Sequence, residues 1–275
     1  MSGEGRSPLA QGKDQEFLTR LVSAIVLATL ALAVTAWGGK AFALAWAVAA
    51  AFFLSEFLTM VGYRPLMVGT AIGATGLAAA NLGAAAGSLS ACAAAILVAA
   101  IAMVTQGERS PARLLGGVGF IYAMCVAAPV VMLRADPQFG IITTVWLYLV
   151  VWGTDIGAFI AGRLLQGPRL WPRLSPNKTW SGLIGGTALG VVAAVLFAAI
   201  WGWEEMPLTA NRFVLASIAL SLATHAGDLL ESALKRSFNI KDSSQIIPGH
   251  GGFMDRLDGF AIASLVALVV LRTPH

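Results

Sequence analysis

The sequence predicts an all-α polytopic integral membrane protein of about nine transmembrane helices, and three observations carry that prediction. Of 275 residues, 57% are hydrophobic and only 12% charged, with a mean hydropathy of +0.78, whereas soluble domains carry about 25% charged residues. Apolar runs long enough to cross a hydrocarbon core about 30 Å thick recur along the whole chain. The basic residues then fall mostly on one side of the alternation that those runs impose. A soluble catalytic domain is excluded, because the loops leave no room for one.

Taken in order, the runs cover residues 17–37, 42–61, 66–86, 89–105, 114–133, 141–165, 181–201, 212–238 and 253–271, each interrupted by Gly, Pro or charge. The third and fourth are Ala- and Gly-rich and separated only by Gly87 and Ser88, so seven or eight spans are the alternative. With nine spans and the N-terminus inside, 14 of the 18 basic residues lie on the inner side, and only Lys40, Arg134, Arg212 and Arg272 lie outside. That asymmetry predicts a cytoplasmic N-terminus. The chain accordingly divides into a polar cytoplasmic tail (1–16), an N-terminal transmembrane region of about five helices (17–138), and a C-terminal catalytic region of about four (139–275). The first apolar run is too long for the core of a signal peptide, so no leader to be removed is expected.

Two inner loops, 163–180 and 239–252, are longer and more basic than the other connections and are punctuated by Pro and Gly. Such loops either carry function or simply orient the protein. Cys92 and Cys125 lie in apolar runs without CxxC spacing and read as small buried hydrophobes. The spacing of Gly182, Gly186 and Gly190, and of Gly69 and Gly73, marks close helix crossings. Trp37, Trp152, Trp171, Trp180, Trp201 and Trp203 fall near span ends, as interfacial residues do. Glu56, in the second span, fits either a packing hydrogen bond or a contact to a polar head group.

Chemistry concentrates in residues 227–259. An ionisable group in a span costs about 2.5–3.5 kcal/mol on insertion scales, so His225, Asp228 and Glu231 need a reason to be there. His225, Asp228, Ser232, Lys235 and Arg236 recur at helical spacing and form one polar stripe. Asp255 and Asp258 share a face at the start of the last span. Asp228 and Asp255, brought together, offer hard oxygen ligands suited to Mg2+; a salt-bridge network with Lys235 and Arg256 accounts for them equally well. The intervening PGHGG turn, with His250 at its centre, permits close approach of backbone NH groups to an anion. Upstream, SPNKTW (175–180) presents the hydroxyls of Ser175 and Thr179, the amide of Asn177 and the cation of Lys178, or else merely caps the next helix through Thr179 or Ser181. Asp155 is a third intramembrane acid, flanked by Gly157 and Gly162.

The run SALKRSFNIKDSSQIIPGHGGFMDRLD (232–258) resembles the signature of the phosphatidate cytidylyltransferases, the integral-membrane CDP-diacylglycerol synthases: a Ser followed by KR, then KD, a P/G/S position, HGG and DR-hydrophobic-D. The SPNKT loop and the Asp155 segment are similar to further motifs of that family, while the first four spans match only in hydrophobic character. Relatives often place Glu where this chain has Ser181, which removes an acidic role there. The resemblance implies transfer of the cytidylyl group of CTP to phosphatidic acid. It implies Asp228 and Asp255 as ligands of Mg2+, with or without a second cation, and Lys178, Lys235, Arg236 and Lys241 as a clamp on phosphate oxygens. Ser175, Asn177 and Thr179 would hydrogen-bond nucleotide or phosphate, His250 would orient a phosphate, and Asp155, Asp242 and Asp258 would support the metal from behind. It further implies a homodimer in a bacterial inner membrane; the basic inner loops place the site toward the cytoplasm, and no nucleic-acid partner is expected. A proton-coupled transporter would also bury Asp155, His225 and Asp228, but no copy of the 227–259 cluster exists in the first half. A CDP-alcohol phosphatidyltransferase needs an Arg and further acids after Asp258-Gly259, and FAIASLVALVV supplies neither.

Overall fold

The computed structural model describes residues 8–108, 110–247 and 251–273. Among these, nine α-helices follow one another: α1 (Pro8–Trp37), α2 (Gly39–Met60), α3 (Leu66–Ala85), α4 (Leu89–Gln106), α5 (Ser110–Arg134), α6 (Gly140–Leu165), α7 (Trp180–Trp201), α8 (Ala210–Ser237) and α9 (Met254–Arg272). Helix is the expected answer in hydrocarbon, because it satisfies every backbone polar group within one segment. Eight of the nine are long and apolar enough to cross a membrane. The exception, α9, opens on Asp255, Arg256 and Asp258.

Helices α3 and α4 are separate. Gly87 takes a left-handed φ of +71° that ends the first, and Ser88 Oγ caps the second by accepting from Ala91 N at 3.3 Å. The two departures from expectation are local. Helix α1 begins at Pro8, upstream of its apolar run, since Leu, Ala, Gln, Lys and Glu are good helix formers. The 163–180 loop contains a small antiparallel hairpin, β1 (Arg169–Trp171) with β2 (Ser175–Thr179), in which Arg169 faces Thr179 and Trp171 faces Ser175. Thr179 then serves as the N-cap of α7, its Oγ1 accepting from Gly182 N at 3.0 Å, while Ser181 Oγ accepts from Gly167 N at 3.2 Å. The cap and the hairpin together fix where Lys178 leaves the backbone.

Helices α6 and α7 cross on facing glycines. A Cβ at Gly153 would lie 3.0 Å from Gly190 Cα, and one at Gly157 3.0 Å from Gly186 Cα. Gly69 and Gly73 likewise make room, for the Tyr63 ring and the Leu54 side chain, so both are used within the chain. Buried hydroxyls link α6, α8 and α7: Thr154 Oγ1 donates to Ser221 Oγ at 2.8 Å, and Ser221 Oγ to Thr187 Oγ1 at 3.1 Å. An aromatic group formed by Trp46, Tyr148 and Phe260, with the Trp46 and Phe260 rings stacked at 4.7 Å, joins α2, α6 and α9.

The α6–α7 crossing yields a test. A Cβ at Gly186 would stand 2.7 Å from the Thr154 carbonyl oxygen, and backbone cannot rotate aside as a side chain can. Gly186→Val is therefore expected to cost about 1–3 kcal/mol or more, read as a lower temperature for loss of the monodisperse profile in detergent.

Candidate active site

The functional side chains meet at one end of the bundle, where α2, α6 and α8 finish and α7 and α9 start. Successive helices alternate direction, so these ends belong on one side of a membrane. Lys178 Nζ, carried by β2, is 2.7 Å from Asp228 Oδ2 on α8. One turn further along α8, Glu231 is buried, and Lys235 Nζ lies 2.6 Å from its Oε1. The same ammonium is 2.7 Å from Oδ1 of Asp255 on α9. Two lysines thus bind three carboxylates from two helices, in a region where an unpaired charge would be costly.

Close backbone approach makes these pairings possible. A Cβ at Gly227 would collide with the Asp258 carbonyl, and one at Gly259 would sit 2.7 Å from Asp228 Oδ1. Asp258 is buried at this crossing. Asp155, Asp228, Glu231 and Asp258 all lie within electrostatic reach of one another's neighbours, with Lys178 and Arg256 as the opposing charges at Asp155.

The 239–252 loop is held by the same carboxylates. Asp255 Oδ2 accepts from Ser243 N at 3.3 Å, Ser243 Oγ at 3.0 Å and Gly252 N at 3.0 Å. Ile247 N donates to the Gly251 carbonyl at 2.8 Å. His250 itself lies outside the described residues. Gly251 has a φ of +83°, so the loop needs glycine there.

The sequence left Glu56 open between packing and a head-group contact, and the structure makes it the anchor of this loop. Its Oε1 accepts from Ser244 Oγ at 2.5 Å and Phe253 N at 3.0 Å; its Oε2 accepts from Ser243 Oγ at 3.0 Å and Met254 N at 2.7 Å. Glu231 and Glu56 stood out in the sequence as acids in apolar runs, but only the structure supplies their partners.

Beside the cluster is a cavity of about 790 Å3 between α6, the hairpin, α7 and α8, whose lining includes Ser175, Asn177, Lys178, Thr179, His225 and Asp228. Four predicted residues of the hairpin loop are thereby brought to one cavity with Asp228. Asp155, Phe159 and Arg163 follow one another along an exposed face of α6, and the Arg163 guanidinium lies 5.8 Å from the Phe159 ring centroid. Phe159 and Arg163 also line the cavity, which therefore reaches the exposed surface of α6. Arg236, Lys241 and Asp242 are not in that lining; they stand exposed at the end of α8 and on the following loop.

Nine helices with paired charges at one end and a hydroxyl- and lysine-lined cavity define a membrane-embedded enzyme suited to phosphorylated substrates. The chain belongs to the cytidylyltransferase family, whose sequence profile it matches over residues 18–273. It is 38% identical over 251 residues to the phosphatidate cytidylyltransferase of Brucella suis biovar 1 (strain 1330), a match covering 90% of each chain. Those of Bacillus subtilis (strain 168) and Haemophilus influenzae (strain ATCC 51907 / DSM 11121 / KW20 / Rd) are each 40% identical, over 128 and 132 residues, about half of each chain.

Proposed function

We propose that the chain transfers the cytidylyl group of CTP to phosphatidic acid, giving CDP-diacylglycerol and pyrophosphate. The observation that carries this reading is the Lys178–Asp228 pair at the wall of a cavity that also exposes Ser175, Asn177 and Thr179. In the reaction, an oxygen of the lipid phosphate attacks the α-phosphorus of CTP. The bond from that phosphorus to the bridging oxygen breaks, and pyrophosphate leaves with the electron pair. A phosphate monoester is already ionised near neutral pH, so positioning and charge neutralisation dominate. Lys178 faces the cavity to hold phosphate oxygens, while the hairpin hydroxyls and the Asn177 amide fix their orientation. Lys235, Arg236 and Lys241 supply cations around the loop, and His250 orients a phosphate.

The donor chemistry fits a magnesium ion. Asp228 and Asp255 offer hard oxygens, and each now faces a lysine ammonium at 2.7 Å, a position that already accepts positive charge. Among the described residues no group of three or more His, Cys, Asp or Glu is placed to hold a metal ion, so waters and substrate phosphates would have to complete the coordination of any ion held by the two aspartates. Asp228 and Asp255 would hold it, and when bound it supplies positive charge to the phosphates. Asp155, Asp242 and Asp258 would add negative charge around it.

CTP would reach the cavity from the cytoplasm and phosphatidic acid from the adjoining leaflet, with its acyl chains along the exposed α6 face. The one-sided basic residues support a cytoplasmic orientation in a bacterial inner membrane. The test is an assay of detergent-solubilised protein with labelled CTP and phosphatidic acid. Labelled CDP-lipid is expected with Mg2+, falling to background on chelation and returning on Mg2+ addition. Turnover unchanged by chelation would refute the metal, and absence of CDP-lipid would refute the reaction.

A further inference from the structure

Glu56 lies on α2, far in sequence from the 232–258 motif, yet both its oxygens are committed to the loop and helix that carry Asp255. Each oxygen accepts one serine hydroxyl and one backbone amide: Ser244 and Phe253 for Oε1, Ser243 and Met254 for Oε2. Helix α9 has no side-chain cap of its own at Phe253. Glu56 therefore supplies from another helix the negative acceptor that a helix N-terminus requires. Gly252 permits the approach, since a Cβ there would lie 2.7 Å from Glu56 Oε1. Ser243 links the two acids, because its Oγ stands 3.0 Å from both Glu56 Oε2 and Asp255 Oδ2 and its single proton is shared between them.

We propose that Glu56 is a positioning residue of the transfer site: it ties Ser243 and Ser244 to the start of α9 and, through Ser243 and the first turn of α9, sets the orientation of the Asp255 carboxylate. The inference rests on the cytidylyl-transfer reading for its consequence in turnover, but the anchoring itself does not. All four of Glu56's partners are donors, and two are backbone amides that cannot rotate. Glu56→Gln keeps the size of the side chain while setting an NH2 group against one of those amides, whichever way the amide side chain is flipped.

Three measurements on the full chain in detergent decide the matter. By hydrogen exchange, Glu56→Gln is expected to speed exchange at Phe253 and Met254 by at least about tenfold, the equivalent of losing a charge-assisted bond, with the middle of α6 unchanged. Per folded molecule, kcat is expected to fall about a hundredfold, the effect of misplacing a reacting group by about 1 Å, while the KM for CTP stays within about threefold. Combined with Ser243→Ala, the loss is expected to be less than additive, because both substitutions break one link. If Glu56→Gln does not purify, Ser244→Ala removes one of the same contacts and is expected to shift exchange and kcat in the same directions, more weakly. Unchanged exchange, unchanged kcat per folded molecule, or full additivity with Ser243→Ala would each overturn the proposal. A wild-type protein that makes no CDP-lipid would instead overturn the cytidylyl-transfer reading, and the exchange result would still judge the anchoring.

Discussion

Asp255→Asn is expected to lower turnover of CTP by about a hundred- to a thousandfold, the size seen when a preorganised charged group is lost from a site of this kind. The reason lies in the partners of its carboxylate. Oδ1 faces the Lys235 ammonium at 2.7 Å, and Oδ2 accepts from the Ser243 amide and hydroxyl and from Gly252 N. Every neighbour is a donor. Asparagine must turn its NH2 toward either the lysine or the loop amides, so one set is broken in each orientation. It also leaves Lys235 with Glu231 alone. The measurement is CDP-lipid formation by protein that elutes as wild type does from size exclusion. Near-wild-type, Mg2+-dependent turnover of such protein would remove Asp255 from the site.

Lys178→Met is expected to cost about a hundredfold in kcat/KM, with a large share appearing as a raised KM for a phosphorylated substrate. Methionine keeps much of the length and the apolar stem of lysine but removes the charge that faces both the cavity and Asp228. Because the pair is about one quarter exposed on each side, the fold should tolerate the change better than the site does. Determining KM for CTP and for phosphatidic acid separately shows which phosphate Lys178 holds. A variant with both constants unchanged would make the lysine a structural partner of Asp228 only.

Much of this is legible in the sequence. The limits of α2 to α9 fall close to the apolar runs, since a span must be about 20 residues long and a charge or a Gly-Ser pair ends it. The SPNKT segment, Asp228, Lys235 and Asp255 stood out because ionisable residues are scarce in such a chain. The hairpin was not legible: RLW is three residues long, and SPNKT lacks the alternation that marks a strand. The partners of Glu56 were not legible either, being 187 to 198 positions away in sequence. Nor did the stripe on α8 reveal that one ammonium, that of Lys235, bridges Glu231 to Asp255 on the next helix.

By itself, the sequence determined that this is a membrane protein of alternating helices, which residues are chemically able to handle phosphate and metal, and which family's motif they form. Those properties depend on composition and on spacing within one helix or loop, both of which are local. Only the tertiary structure decided which charge meets which. That outcome depends on how closely helices from distant parts of the chain approach, and the approach is set by glycines at 153, 157, 186 and 190 between α6 and α7, and at 227 and 259 between α8 and α9. Glu56 became part of the site for the same reason: a carboxylate on α2 reaches the amides of α9 once Gly252 leaves the space open.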